Sequence, residues 1–226
     1  MAEELIDSYS EENFSNDYSV IVFHPSSTGW GSAVGQSFTC GGSYKITSAK
    51  FYLKKYGSPT GNMHAVLYAH SGTYGTSSVP TGEPLATSDD FDISLLSTSR
   101  VLETFTFTGA QQYEMSSSTK YCIIWENCES GTMDGSNHPY VGHDRSSPTH
   151  EGNLIQWLNS DWSFVNTWDC IFYVYGEAVG PPPTNIKINI ADAWKDVDSM
   201  KINIADAWKD VAEVKQNIGD AWKVVY

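Results

Sequence analysis

The residues best suited to chemistry lie in one loop-rich stretch that brings His138, His143, Asp144 and His150 close together in the chain. Imidazole and carboxylate side chains are the donor set of zinc sites, and three of them must converge on one point to hold an ion. Their irregular spacing predicts surface polar residues instead of a metal ligand set. Asp89, Asp90, Asp92 and Asp134 offer the oxygen donors that a structural calcium ion takes; beyond that ion the sequence implies no cofactor. Glu126 with Glu129, or the Asp89, Asp90 and Asp92 group, could be proposed as paired carboxylates for acid–base work. No nucleophile elbow, His-Glu-x-x-His pair or phosphate-cradling loop accompanies them. The expectation is a chain with no catalytic residues and no enzymatic activity.

A second cluster suits recognition better than catalysis. Trp157, Trp162 and Trp168 lie near Asn153, Gln156, Asn159 and Asn166. Flat aromatic faces stack on the C–H faces of sugars, and amides hydrogen-bond to hydroxyls. Trp157, Trp162, Asn153 and Gln156 are therefore the candidate glycan contacts, against the alternative that the tryptophans fill a core or a subunit contact.

The elements that must position these residues are strands. The chain of 226 residues can bury a real core, and its 13% aromatic, 18% charged, glycine-rich composition favours an all-β protein with many turns. From Tyr18 to Tyr175, short strands are punctuated by turn residues. Phe51 and Leu53 alternate with Tyr52 and Lys54, and Phe105 and Phe107 alternate with Thr104, Thr106 and Thr108. The nearly continuous apolar run Tyr121 to Glu126 predicts a central strand. Eight or more such strands point to a jelly-roll-like β-sandwich over residues 18–178. Residues 1–17 carry six acids and no base, a composition that predicts a solvated, mobile terminus. The four cysteines Cys40, Cys122, Cys128 and Cys170 form no Cys-x-x-Cys pair, and they leave three disulfide connectivities open.

Residues 179–184 contain Gly180-Pro-Pro-Pro183, a stiff spacer that ends the sandwich. Beyond it, over 185–226, one 14-residue unit occurs three times, with Trp194, Trp208 and Trp222 in register. A unit that short cannot bury its own apolar face and must stack on neighbours. Two structures compete for it. In hairpins, Ile188 and Ile190 alternate with Asn189, the Ala191-Asp192 step turns, and Trp194 to Val197 returns. In a helix, Ile190, Trp194, Val197, Met200, Ile204, Trp208, Val211, Val214, Ile218, Trp222 and Val225 form a coiled-coil stripe. The β-branched residues, the asparagine of each unit and Gly219 favour hairpins. The assembly residues predicted on either reading include Ile188, Ile190, Trp194, Val197, Ile202, Ile204, Trp208, Val211, Ile218, Trp222 and Val225.

The net charge of −14 is uneven: residues from Asn185 onward hold six lysines against seven acids, leaving −13 for the first 184 residues. So acidic a surface repels phosphate backbones and anionic membranes, which argues against a nucleic-acid partner. No apolar run is long enough to insert in a membrane, and no basic-then-apolar leader follows Met1, which predicts a chain not exported by a cleaved signal.

Gly35-Gln-Ser-Phe-Thr39, Ile46-Thr-Ser-Ala-Lys-Phe-Tyr-Leu53, Gly57-Ser-Pro-Thr-Gly61, Gly82-Glu-Pro-Leu-Ala-Thr-Ser88 and Phe172-Tyr-Val-Tyr-Gly176 resemble a family of β-sandwich modules of phage and environmental viral proteins. These modules distantly resemble carbohydrate-binding modules. Asn217-Ile-Gly-Asp-Ala-Trp-Lys223 is similar to short tryptophan-containing repeats that end phage tail and virion proteins; the first two copies here carry Ala in place of the Gly. The resemblance implies a virion structural protein, a capsid-surface decoration or tail-fibre module, that forms homo-oligomers and contacts other virion proteins, located on the particle and extracellular once released. Two alternatives stand beside it: a glycan-binding module for host attachment, and a subunit of an extracellular filament built by strand complementation.

Overall fold

The computed structural model describes residues 2–20, 33–127, 131–158 and 161–179, together with six short strands between residues 187 and 224, these as backbone. The chain divides into two compact units, Met1–Val179 and Gly180–Tyr226.

The first unit is a β-sandwich. Its strands begin with β1 (Glu3–Tyr9), β2 (Asn16–Ser19), β3 (Ala33–Cys40), β4 (Tyr44–Tyr56) and β5 (Asn62–Ser71). They continue with β6 (Val79–Thr87), β7 (Phe91–Asp92), β8 (Val101–Thr106), β9 (Glu114–Met115) and β10 (Thr119–Asn127). The last five are β11 (His138–Asp144), β12 (Leu154–Leu158), β13 (Asp161–Val165), β14 (Asp169–Cys170) and β15 (Phe172–Ala178). One sheet runs β1-β15-β4-β11-β14, with β2 on β11 and β8 and β9 on β4. The other runs β13-β12-β3-β10-β5-β6, with β7 on β5. From β3 onward the chain crosses repeatedly between the sheets, as a jelly-roll-like sandwich requires.

Alternation explains which face each strand buries. On β4, Ile46, Phe51 and Leu53 are fully buried while Lys50, Tyr52 and Lys54 face outward. On β8 and just past it, Phe105 and Phe107 are buried and Thr104, Thr106 and Thr108 are exposed, as their alternation predicts. β10 is indeed central: it pairs with β3 on one side and β5 on the other. Its Trp125 lies in the core with Phe105, whose ring also meets Phe51 and Phe91 at centroid distances of 6.0 and 5.7 Å. Such aromatic pairs contribute about 0.5–1.5 kcal/mol each beyond the area they bury. A smaller apolar cluster of Val66, Tyr68, Cys122, Ile124 and Ile155 lies on the opposite face of the same sheet, with Trp157 and Trp162 packed on it.

The acidic amino-terminal segment is not a solvated tail. β1 pairs antiparallel with β15, from Glu3↔Glu177 to Tyr9↔Phe172, and β2 pairs with β11. Its acids are met by hydroxyl donors: Thr47 and Ser48 donate to Glu3 at 2.7 and 2.8 Å, Tyr44 donates to Glu4 at 3.2 Å, and Tyr173 donates to Glu11. Composition alone missed those partners, which come from strands 40 to 162 residues away. Tyr9 is buried, and its hydroxyl donates to Asp144 Oδ2 at 3.0 Å.

Cys40, Cys122 and Cys170 are buried free thiols, so no bridge forms among these three; Cys128 lies outside the described residues. Burial pushes the Cys122 and Cys170 thiols far up, and they behave as small apolar side chains.

In the second unit the repeats form hairpins and not a coiled coil. β16 (Lys187–Ile190) pairs with β17 (Ala193–Asp196), β18 (Lys201–Ile204) with β19 (Ala207–Asp210), and β20 (Lys215–Ile218) with β21 (Ala221–Val224). The register is the same in each: Asn189↔Trp194, Asn203↔Trp208 and Asn217↔Trp222. The turn residues, and the predicted assembly positions Val197, Val211 and Val225, lie outside the described residues, as do the side chains of all six strands.

Candidate functional site

The structure separates the two halves of the sequence-predicted glycan cluster. Trp157 and Trp162 are cross-strand partners on β12 and β13, with ring centroids 5.0 Å apart at 83°. Tyr68 meets Trp162 edge-on at 5.8 Å. These rings lie on the outer face of their sheet, half-buried on the small apolar cluster. Gln156 precedes Trp157 in the strand, so it points to the other face. Asn153 is fully buried and presents nothing to a ligand: its amide oxygen accepts from the Ser78 N–H at 3.0 Å, and its amide nitrogen donates to the carbonyls of Ser78 and Leu154. Asn153 thus docks the loop before β6 onto β12. Asn159 lies outside the described residues.

Gln156 belongs instead to a cleft of about 320 Å³ that opens between the two sheets. β2 supplies Tyr18, β11 supplies His143, β12 supplies Gln156 and Leu158, β13 supplies Val165, and the adjoining loops supply Arg145 and Trp168. Trp168 is held there by its backbone: its carbonyl accepts from the Leu154 N–H at 2.9 Å. The Tyr18 hydroxyl donates to Gln156 Oε1 at 2.7 Å and so bridges the sheets.

His143 is 2% exposed, and neither ring nitrogen has a hydrogen-bond partner. Trp168 packs on its ring at 4.9 Å and 36°, and Tyr18 meets it edge-on at 6.3 Å. Burial first, then the nearby Arg145 charge, pushes its pKa down to about 4, against the smaller opposing pulls of Asp144 and of the nearby Val141 backbone, which lies outside good hydrogen-bond geometry. The imidazole is therefore neutral at neutral pH, with one donor and one acceptor unspent. Burial likewise raises the Tyr18 phenol to about 12, so it remains a neutral donor.

Charge around the cleft is arranged differently from the rest of the chain. Asp17 is paired with Lys54 at 2.9 Å and with Arg100. The Arg100 guanidinium also lies 4.1 Å from the Phe14 ring centroid. Arg145 is exposed and makes no ion pair among the described residues. The chain has two arginines in total, and both stand near β2 and the cleft. That rarity in an acidic sequence is the signal that could have marked this place; Tyr18 and Arg145 had no other.

The histidines and acids take separate roles. His138 Nδ1 bonds to the Asp134 carbonyl at 3.0 Å. His150 Nδ1 accepts from the Gly152 N–H at 3.0 Å, which leaves Nε2–H to face Asp7 Oδ1 at 3.3 Å. Asp144 accepts from Tyr9, Ser15 and Ser146; burial alone would raise its pKa, but those donors hold it well below the usual carboxylate range. Asp92 caps Ser94, Asp89 accepts from Thr108, and Asp134 accepts from Ser136 and Asn137. Asp90 faces His64, which also faces Glu126. Among the described residues no three of these side chains converge as a metal site requires. Glu129 lies outside the described residues.

No known protein family matches the chain, and no curated protein matches it. A solved structure that is similar contains the cysteine protease and lectin-like domains of Cwp84, a surface layer associated protein of Clostridium difficile. The identity is 9% and the TM-score 0.37, over 66% of this chain and 32% of that one. The chain thus spans about a third of the length of that structure.

Proposed function

We propose that this chain is a non-enzymatic assembly protein: a β-sandwich displayed on a particle surface and docked through its three tail hairpins to copies of itself or to other proteins of the particle. The observation that carries this reading is the tail, where one hairpin is built three times in the same register. A two-stranded hairpin has too few neighbours to be stable alone in water, and stacking against other surfaces supplies what it lacks. A virion is the proposed setting, because the sequence motifs resemble sandwich modules of phage and environmental viral proteins and the repeats that end phage tail and virion proteins.

The test uses the full chain. Replacing Trp194, Trp208 and Trp222 together by alanine lowers the mass in solution from oligomer to single chain, and each single replacement has a graded effect. An oligomer unchanged in the triple variant, or a wild-type chain that is monomeric at every concentration, overturns the assembly role.

A further inference from the structure

We propose that the cleft between the sheets is a binding site for one carboxylate-bearing sugar unit of a glycan, held by Tyr18, His143, Arg145, Gln156 and Trp168. This inference is independent of the tail and of the assembly reading.

Size sets the first limit. A volume of about 320 Å³ lies at the low end of the roughly 300–1,000 Å³ typical of small-molecule sites. It admits a single pyranose ring with its substituents and is small for a dinucleotide.

The walls set the second. Trp168 and Tyr18 give the cleft aromatic surface, which favours the C–H faces of a sugar ring. Polar groups set the third. A buried polar atom without a partner costs free energy, so an unpartnered buried imidazole in a cleft wall is a group waiting for a ligand. Neutral His143 offers a donor at one ring nitrogen and an acceptor at the other; the two point apart, so one of them serves a given hydroxyl. The Gln156 oxygen is engaged by Tyr18, so the amide nitrogen is what that side chain has left to donate.

Charge decides between neutral and acidic sugars. Asp17 would repel an anion, but Lys54 and Arg100 neutralise it. Arg145 is the cation in the cleft lining, and its planar fork fits a carboxylate through two parallel hydrogen bonds. In a chain of net charge −14 an uncommitted arginine at a cleft rim gives an anionic group a favourable approach.

The experiment titrates the full chain with glucuronic acid and with N-acetylneuraminic acid, following ligand saturation transfer by NMR, with glucose and inorganic phosphate as controls. At least one acid binds, and binds about tenfold more tightly than glucose, the ratio expected of a hydrogen bond to a charged group. Arg145→Gln erases that preference while the thermal midpoint stays unchanged, because the side chain is exposed. Gln156→Ala weakens both acid and neutral sugars, and Trp157→Ala on the outer face changes neither. The proposal is overturned if neither acid binds, if Arg145→Gln leaves the preference intact, or if inorganic phosphate competes as well as the sugar acids, which would make the site a general anion site.

Discussion

The hydroxyl of Tyr18 stands 2.7 Å from Oε1 of Gln156 and donates to it, joining the two sheets at the cleft that both residues line. Tyr18 comes from a strand of the amino-terminal segment and Gln156 from the far sheet, 138 residues along the chain. Tyr18→Phe removes the donor and little else. The expected loss is about 1 kcal/mol, the net contribution of a typical hydrogen bond. Equilibrium unfolding in urea measures it as a lower midpoint with an unchanged slope.

His143 makes the fold sensitive to acid. Its pKa is ordinary, near 6.5, in the unfolded chain and about 4 in the folded one. Between those values the unfolded state binds a proton that the folded state refuses, so stability falls as pH drops from 6.5 to 4 and levels off below. The contribution is at most about 3.5 kcal/mol, taking roughly 1.4 kcal/mol per pKa unit. In His143→Phe the slope of stability against pH over that window becomes shallower. A slope identical to wild type would show that another group carries the acid response.

Asp144 fastens the amino-terminal segment at two points, Tyr9 in β1 and Ser15 just before β2. Asp144→Ala leaves the buried Tyr9 hydroxyl without its acceptor, at a cost of about 1–3 kcal/mol. Amide hydrogen exchange should quicken across β1 and β2 before it quickens in β10, which is paired on both sides. Uniform acceleration would mean that the segment does not open separately.

Gly35 has no room for a side chain. A Cβ there would stand 1.9 Å from the Ile123 carbonyl oxygen. Gly35→Ala therefore forces β3 and β10 apart and destabilises by about 1–3 kcal/mol or more, the usual cost of overpacking. A thermal midpoint within error of wild type would contradict this close approach.

The core was legible in the sequence because it is governed by alternation: Phe105 and Phe107, Phe51 and Leu53, and the apolar run of β10 each bury the residues their spacing selects. The amino-terminal strand was not legible, because six acids look solvated until the hydroxyl partners of Glu3, Glu4 and Glu11 on β4 and β15 are known. The cleft was missed for a related reason. Gln156 and Trp157 are neighbours in the chain and so read as one site, yet a strand sends them to opposite faces. Trp168, grouped with Gln156 in the sequence, does share the cleft, but Tyr18 and His143 arrive from β2 and β11 of the other sheet, and no local pattern links them to Gln156.

Each tail hairpin closes its ladder within its own pair of strands, and among the described residues no ladder joins one hairpin to the next. Copies can therefore be gained or lost by whole fourteen-residue steps without breaking any backbone pairing. The valence of the tail is in that sense a count the gene can raise or lower.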